Sequence, residues 1–206
     1  MSNLINSQIS EFWNQRYQSA TYVYGEEPND FFASQIVNIQ PSNIIFPCEG
    51  EGRNAVYAAT LGWNVQAFDG SLEGQKKAFQ LASKNKVSID YMVTDASIVV
   101  YPEASVDMVV FIYAHFTPDI RKSIHQKAIK WLKPGGRIIL EAFNPNQVHN
   151  QSGGPKDPAM LYTNEIVAQD FEGLETKWLE TIQKELKEGP FHNGLADVIQ
   201  YVGIKK

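Results

Sequence analysis

Short apolar runs alternate along this chain with stretches of helical period. Asn43 to Pro47 is an apolar run suited to a central parallel strand. Val65 to Phe68 and Ser88 to Val93 predict a second and a third strand. Val106 to Tyr113, apolar on both faces, predicts the fourth, and Arg137 to Phe143 the fifth. Between them lie predicted helices. One runs from about Arg53 to a stop at Gly62. Another is capped by Ser71 and runs to about Asn85, with Leu72, Ala78, Phe79 and Ala82 on its apolar face. A third starts at Thr117-Pro118, repeats through Ile120, Ile124, Ala128 and Trp131, and ends at Lys133-Pro134-Gly135-Gly136. Strands alternating with helices imply an α/β domain with a mainly parallel sheet and right-handed crossovers.

The ends are less regular. Ile9, Phe12, Trp13 and Tyr17 fall on one side of a short helix from about Ile9 to Tyr17. The aromatic, turn-rich YVYGEEPNDFF then reads as a flap. Asn144 to Tyr162 is a long polar loop, and a short helix starts at Thr163. Trp178, Ile182 and Leu186 fit a helix or a strand equally, whereas Val198 to Ile204 is rich in strand formers.

Composition narrows the class. A chain of 206 residues suits one domain: an N-terminal helix and flap over residues 1–42, a core over 43–143, and a loop with C-terminal strands over 144–206. A net charge of -5 with no basic tract opposes a nucleic-acid partner. The lone cysteine, Cys48, excludes an intrachain disulfide and fits a reducing compartment. The start at Met1 lacks the pattern of a signal peptide, and no apolar run is long enough for a membrane partner, so a cytoplasmic protein is expected.

Ile44 to Ser71 carries the chemistry. A buried strand, a glycine turn, a helix, a second strand and an acidic residue is the order in which a Rossmann-like unit builds a nucleoside pocket. Gly50 and Gly52 stand where backbone meets ligand, and Asp69 is placed to accept from both ribose hydroxyls. GEGRNA also matches the dinucleotide fingerprint G-x-G-x-x-A. Glu49 and Glu51 flank Gly50, however, and carboxylates beside a pyrophosphate oppose its binding. They suit a ligand without phosphates, such as S-adenosylmethionine. Asp95, just past the third strand, can accept from an adenine amine while the Ala96 N–H serves a ring nitrogen. Either Asp alone is as often a turn residue; two at consecutive strand ends favour ligand contact.

The segments FWNQRY, YVYGEEPND, CEGEGRNAVYAA, AFDGS, VTDA, DMVVFIYAHF, LKPGGRIILEAF and GGPKDPAMLYT resemble class I S-adenosylmethionine-dependent methyltransferases. They are most similar to the branch holding tellurite-resistance and thiopurine-methyltransferase-like proteins. The resemblance covers most of the chain. It implies a Rossmann-like seven-stranded sheet, helices on both faces and an antiparallel last strand, and hence strands for the ambiguous C-terminal runs. It implies S-adenosylmethionine as cofactor and a small-molecule methyl acceptor as partner. It places Cys48, Glu49, Gly50 and Gly52 in the cofactor turn, Asp69 and Gly70 at the ribose, and Asp95 and Ala96 at adenine. Ile112 to His115 would flank the sulfonium, with Trp13, Tyr17 and Tyr24 as an aromatic roof or, equally, as core packing of the first helix. Phe46 and Cys48 depart from the family pattern, standing where an acidic residue and the first glycine are usual.

Methyl transfer is an in-line displacement that needs alignment more than a base. His115 is the first candidate for a catalytic group, against the alternative of a histidine bonded to loop backbone; His192 and Glu141 are the others. No metal-ligand spacing, G-x-S-x-G elbow or phosphate-binding G-x-x-x-x-G-K-[ST] loop occurs. Two other readings stay open: a protein that binds S-adenosylmethionine or its demethylated product without turnover, and an NAD-dependent oxidoreductase.

Overall fold

A computed structural model describes residues 2–206. Helices α1 (Ser2–Tyr17) and α2 (Asp30–Ile36) precede the alternating core. The core runs β1 (Asn43–Pro47), α3 (Arg53–Thr60), β2 (Asn64–Asp69), α4 (Leu72–Lys84), β3 (Asp90–Val93), β4 (Val106–Ile112), α5 (Pro118–Trp131) and β5 (Leu132–Phe143). Two short 3-10 turns and α6 (Asn164–Asp170) lead to a long hairpin, β6 (Leu174–Lys187) and β7 (Asn193–Lys205).

The seven strands lie in the order β3-β2-β1-β4-β5-β7-β6. All pairings through β5 are parallel, while β7 runs antiparallel to both β5 and β6. The expected Rossmann-like sheet with an antiparallel final strand is therefore present. Pairing also decides the ambiguous segment: Trp178 to Leu186 is strand because β7 offers it a continuous ladder.

Central strands are buried on both faces. In β4, Val109 and Phe111 face one core, with Ile124, Trp131 and Phe171 of α5 and its neighbours. Met108 and Val110 face the other, with Ala55, Ala58 and Phe32 from α3 and α2. That arrangement explains why the β4 sequence shows no polar alternation. The strand order reverses between β1 and β4, so the carboxyl ends of β1, β2 and β4 open onto one crevice.

Several expectations need correction. The flap reading of YVYGEEPNDFF is too long: Asn29 caps a helix there by accepting from Phe32 N at 3.0 Å, and Phe31 and Phe32 are core. Leu72 and Phe79 are not on the buried face of α4, being 47% and 44% exposed; Gly74, Ala78, Leu81 and Ala82 are buried instead. The first helix begins well before Ile9. The third strand starts at Asp90, and the Lys133–Gly136 segment forms the irregular entry to β5, with a register shift opposite Val106 and Met108.

Gly52 shows why the glycine turn holds its form. Its φ is +91°, and a Cβ there would lie 2.6 Å from the Ala78 Cβ on α4. The left-handed backbone and the packing of α4 each require glycine here. Gly52→Ala is expected to cost about 2 kcal/mol or more, from left-handed strain and overlap together. Thermal unfolding followed by circular dichroism should show a fall in Tm of at least about 4 °C.

Candidate active site

Sequence places four short stretches at one sheet edge, and each reaches it for a local reason. The turn from Cys48 to Gly52 follows β1, with Cys48 at φ +54° and Gly50 at φ +61°. Cys48 thus adopts, at a cost of about 1–2 kcal/mol, the left-handed conformation that glycine takes without strain. At the end of β2, Asp69 accepts from Gly50 N at 3.1 Å through one carboxylate oxygen and from Ser71 N at 2.8 Å through the other. Each oxygen keeps a lone pair for another donor. Burial pushes this carboxyl up to about 6.

Neighbouring β3 brings Asp95 to the same edge: Thr94 N donates to the Asp69 carbonyl at 2.9 Å. Asp95 also forms a local turn, accepting from Ser97 N at 2.6 Å. With Gly70, Val93 and Thr94 it lines a cleft of about 430 Å³ whose other wall is Ile9, Ser10, Glu11 and Asn14 of α1. Ser10 Oγ donates to the Gly70 carbonyl, and Asn14 accepts from Ser71 Oγ and Glu73 N. Helix α1 is therefore docked over the β2–β3 end of the crevice.

The three aromatics of α1 and the flap gather beside the glycine turn. Trp13 stacks on Tyr17 with ring centroids 5.5 Å apart, and Tyr24 lies 6.4 Å from each. Tyr17 covers Gly50 so closely that a Cβ on that glycine would meet its hydroxyl at 2.6 Å.

Glu49 and Glu51 have opposite tasks. Glu49 turns onto the start of α3 and accepts from Asn54 N at 2.8 Å and Ala55 N at 2.7 Å. It fills the place at the helix N-terminus that a pyrophosphate would take. Desolvation pushes its carboxyl up to about 7, against those two hydrogen bonds. Glu51 is buried, pairs with Lys77 of α4 and accepts from Val23 N at 2.8 Å and Tyr24 N at 3.3 Å, which straps the flap to the core.

The far end of the crevice holds a buried polar network that sequence reasoning did not assemble. Asn29 donates to Glu141 at 2.7 Å and to Glu188 at 3.1 Å. Glu141 also accepts from the Tyr113 hydroxyl, Gln200 and Lys184 at 2.6, 2.6 and 3.2 Å. Arg53 pairs with Glu188 at 3.0 Å, and His192 Nδ1 lies 3.3 Å from the same carboxylate. Tyr113 holds a left-handed φ of +51° at the end of β4 and stacks on Phe143. The one local signal was an arginine directly after the glycine turn; the other members meet only through sheet pairing.

His115 is placed otherwise than a base requires. Its Nδ1 lies 2.8 Å from the Met160 carbonyl, and its Nε2 accepts from Phe143 N at 3.2 Å. Both nitrogens are used, and burial lowers the ring to about 4, so it is a neutral structural imidazole. Glu141 likewise has its oxygens committed to four donors. Ile112 packs toward the α3 side of the sheet and Ala96 against the core of the α5 side.

Residues 47–136 match the family described as "Methyltransferase domain". No curated protein matches the chain at a significant level. Among solved structures, one described as "Conversion of a Disulfide Bond into a Thioacetal Group during Echinomycin Biosynthesis" is similar with TM-score 0.74 and 18% identity, over 95% of this chain and 90% of that one. TehB from Haemophilus influenzae gives TM-score 0.71 and 15% identity, over 96% and 67%. A geranyl diphosphate methyltransferase solved with geranyl diphosphate and sinefungin gives 0.68 and 11%, over 98% and 99%. At these identities the likeness is one of fold. Among the described residues, no helix is long and apolar enough to cross a membrane.

The raised Glu49 carboxyl has a measurable consequence. Between its ordinary value of 4.5 and about 7, the folded protein binds a proton that the unfolded chain releases. Stability from this group therefore falls as pH rises through that window. Glu49→Gln keeps an oxygen for the two helix N–H groups and removes the titration. Its Tm relative to wild type should climb from pH 5 to pH 7.5; a constant difference would show that Glu49 does not titrate there.

Proposed function

We propose that this protein transfers a methyl group from S-adenosylmethionine to a small-molecule acceptor, as a class I enzyme of the tellurite-resistance and thiopurine-methyltransferase-like branch. The observation that carries the reading is the pairing of Asp69 and Asp95 on adjacent strand ends at one crevice. The donor set suits an adenosine. Asp69 keeps one lone pair on each oxygen, toward the two ribose hydroxyls. Asp95 lines the adjoining cleft with Gly70, where adenine would lie, and Cys48 and Ala96 would flank it. Tyr17, Trp13 and Tyr24 present aromatic faces that favour a sulfonium over a neutral thioether. When bound, the cofactor supplies an electrophilic methyl group with a good leaving group.

The protein's own contribution is alignment and exclusion of water. The flap and the hairpin tip close the far end, with Phe191 N donating to the Val23 carbonyl at 3.2 Å. Of the three base candidates, His192 has the suitable geometry. Glu188 holds its Nδ1–H, which fixes the tautomer and leaves Nε2 as the basic atom. Its ring is edge-on to Tyr113 at 4.6 Å, beside the end of β4. An acceptor that is already a thiolate would need no base.

The commitment of His115 and Glu141 to structural bonds favours one second reading, a protein that holds the cofactor without turnover. Methyl transfer to any member of a panel of thiols, amines and oxyanions would exclude it. The dinucleotide alternative is opposed by the Glu49 carboxylate at the start of α3.

Asp69→Ala is expected to weaken S-adenosylmethionine binding at least tenfold, about 1.4 kcal/mol, by calorimetry. Because the Asp69 carboxyl sits at about 6, protonation removes an acceptor as pH falls. Affinity at pH 5 should be about tenfold below that at pH 7.5. No binding to wild type at millimolar ligand would overturn the reading.

A further inference from the structure

Asn29 makes more bonds than its place in the chain requires. It stands at the N-terminus of α2 and is fully buried. Its Oδ1 accepts from Phe32 N at 3.0 Å, which caps the helix. That bond settles the orientation of the amide: the oxygen faces an N–H, so Nδ2 faces the other way, toward two carboxylates. Capping alone does not call for asparagine. Aspartate or serine caps as well, and aspartate adds the charge that a helix N-terminus favours. An amide supplies the capping oxygen and, on a separate atom, a donor.

What the donor holds is the support of the proposed base. Glu188 and His192 lie four residues apart in the turn joining β6 and β7. His192 Nδ1 is 3.3 Å from Glu188 Oε2, the oxygen that Arg53 Nη2 also reaches at 3.0 Å. Contacts to one oxygen leave a glutamate carboxylate free to turn, because its terminal torsion is broad. The other oxygen, Oε1, accepts from Asn29 Nδ2 at 3.1 Å. With both oxygens held, the carboxylate plane is fixed. The same Nδ2 donates to Glu141 Oε1 at 2.7 Å, beside the Tyr113 hydroxyl at 2.6 Å. Among the described residues, Asn29 is the one side chain bonded to both carboxylates. Asn29 is itself anchored on α3, where its backbone N donates to Asn54 Oδ1 at 2.9 Å. The support therefore comes from a segment 159 residues from Glu188, and not from the turn that carries the pair.

We propose that Asn29 is a positioning residue for His192: by holding Glu188 Oε1 it turns Oε2 onto the Nδ1–H and keeps Nε2 the free, basic nitrogen. The role of His192 as a base rests on the function proposed above; the bond from Asn29 to Glu188 does not.

The readout is the tautomer of His192, by nitrogen-15 NMR of the full chain at pH 7.5. Burial lowers this ring below its ordinary value of 6.5, so it is neutral there; the charged groups facing it are Glu188, Arg53 and Glu141, and Tyr24 and Tyr113 pack against it. Wild type should hold the Nδ1–H form over the Nε2–H form by at least about tenfold, as a hydrogen bond to a carboxylate allows. Asn29→Ser and Asn29→Asp both keep a capping oxygen and remove the amide donor. In each, with folding verified by circular dichroism, the ratio should fall by at least about threefold. Glu51→Gln slackens the flap at Val23 and Tyr24 instead and should leave the ratio within about twofold of wild type. An unchanged ratio in either folded Asn29 variant overturns the proposal. So does an equal fall in Glu51→Gln, which would reduce Asn29 to a strut of the flap. Calorimetry with S-adenosylhomocysteine separates the two readings: failure of wild type to bind it would sink the methyltransferase reading, while the tautomer ratios would still decide the bond from Asn29.

Discussion

Carboxylates buried at the carboxyl edge of a parallel sheet are the constraint on which this structure turns. Glu51, Asp69 and Glu141 are at most 6% exposed, and Glu188 lies close beside them. A charge taken out of water is tolerated only with donors and counter-charges around it. Elements around the crevice supply them: flap N–H groups and Lys77 to Glu51, the glycine turn to Asp69, Lys184 and Gln200 to Glu141, Arg53 to Glu188. The flap and hairpin are thereby held by charge as much as by apolar packing. Breaking one such pair leaves its partner stranded, which is why the lid segments and the site form one unit.

The same bonds divide the crevice by chemistry. At the β2–β3 end, acids face a cleft that remains open beneath α1. At the β4–β5 end, Glu141 and Glu188 are bonded to side-chain donors, and Arg53 Nη1 has no partner among the described residues. Neither end is suited to phosphate, because the helix N-terminus that would bind one already holds Glu49.

Two of the four non-glycine residues with a left-handed φ among the described residues fall on this boundary. Cys48 and Tyr113, both left-handed, end β1 and β4, the two strands flanking the switch in strand order. Such conformations persist only where surrounding contacts over-determine them. Tyr113 is held by its hydroxyl on Glu141, by its backbone N on the Glu141 carbonyl at 2.8 Å and by Phe143 beneath its ring.

Sequence alone determined the core order of elements, because apolar period is a local property: β1 to β5, α3 to α5 and the caps at Ser71 and Thr163 could be read from neighbouring residues. It also put Gly50, Asp69 and Asp95 at consecutive strand ends, where the structure has them. What it left open was settled by partners distant in the chain. Trp178 to Leu186 is strand because β7 lies beside it, and Leu72 and Phe79 face outward because α4 packs through its small residues. His115 is occupied by Met160 and Phe143, and Arg53 meets Glu188 across 135 residues. Hydrogen bonding between buried polar groups depends on tertiary geometry to a few tenths of an ångström, and no local pattern of residues encodes it.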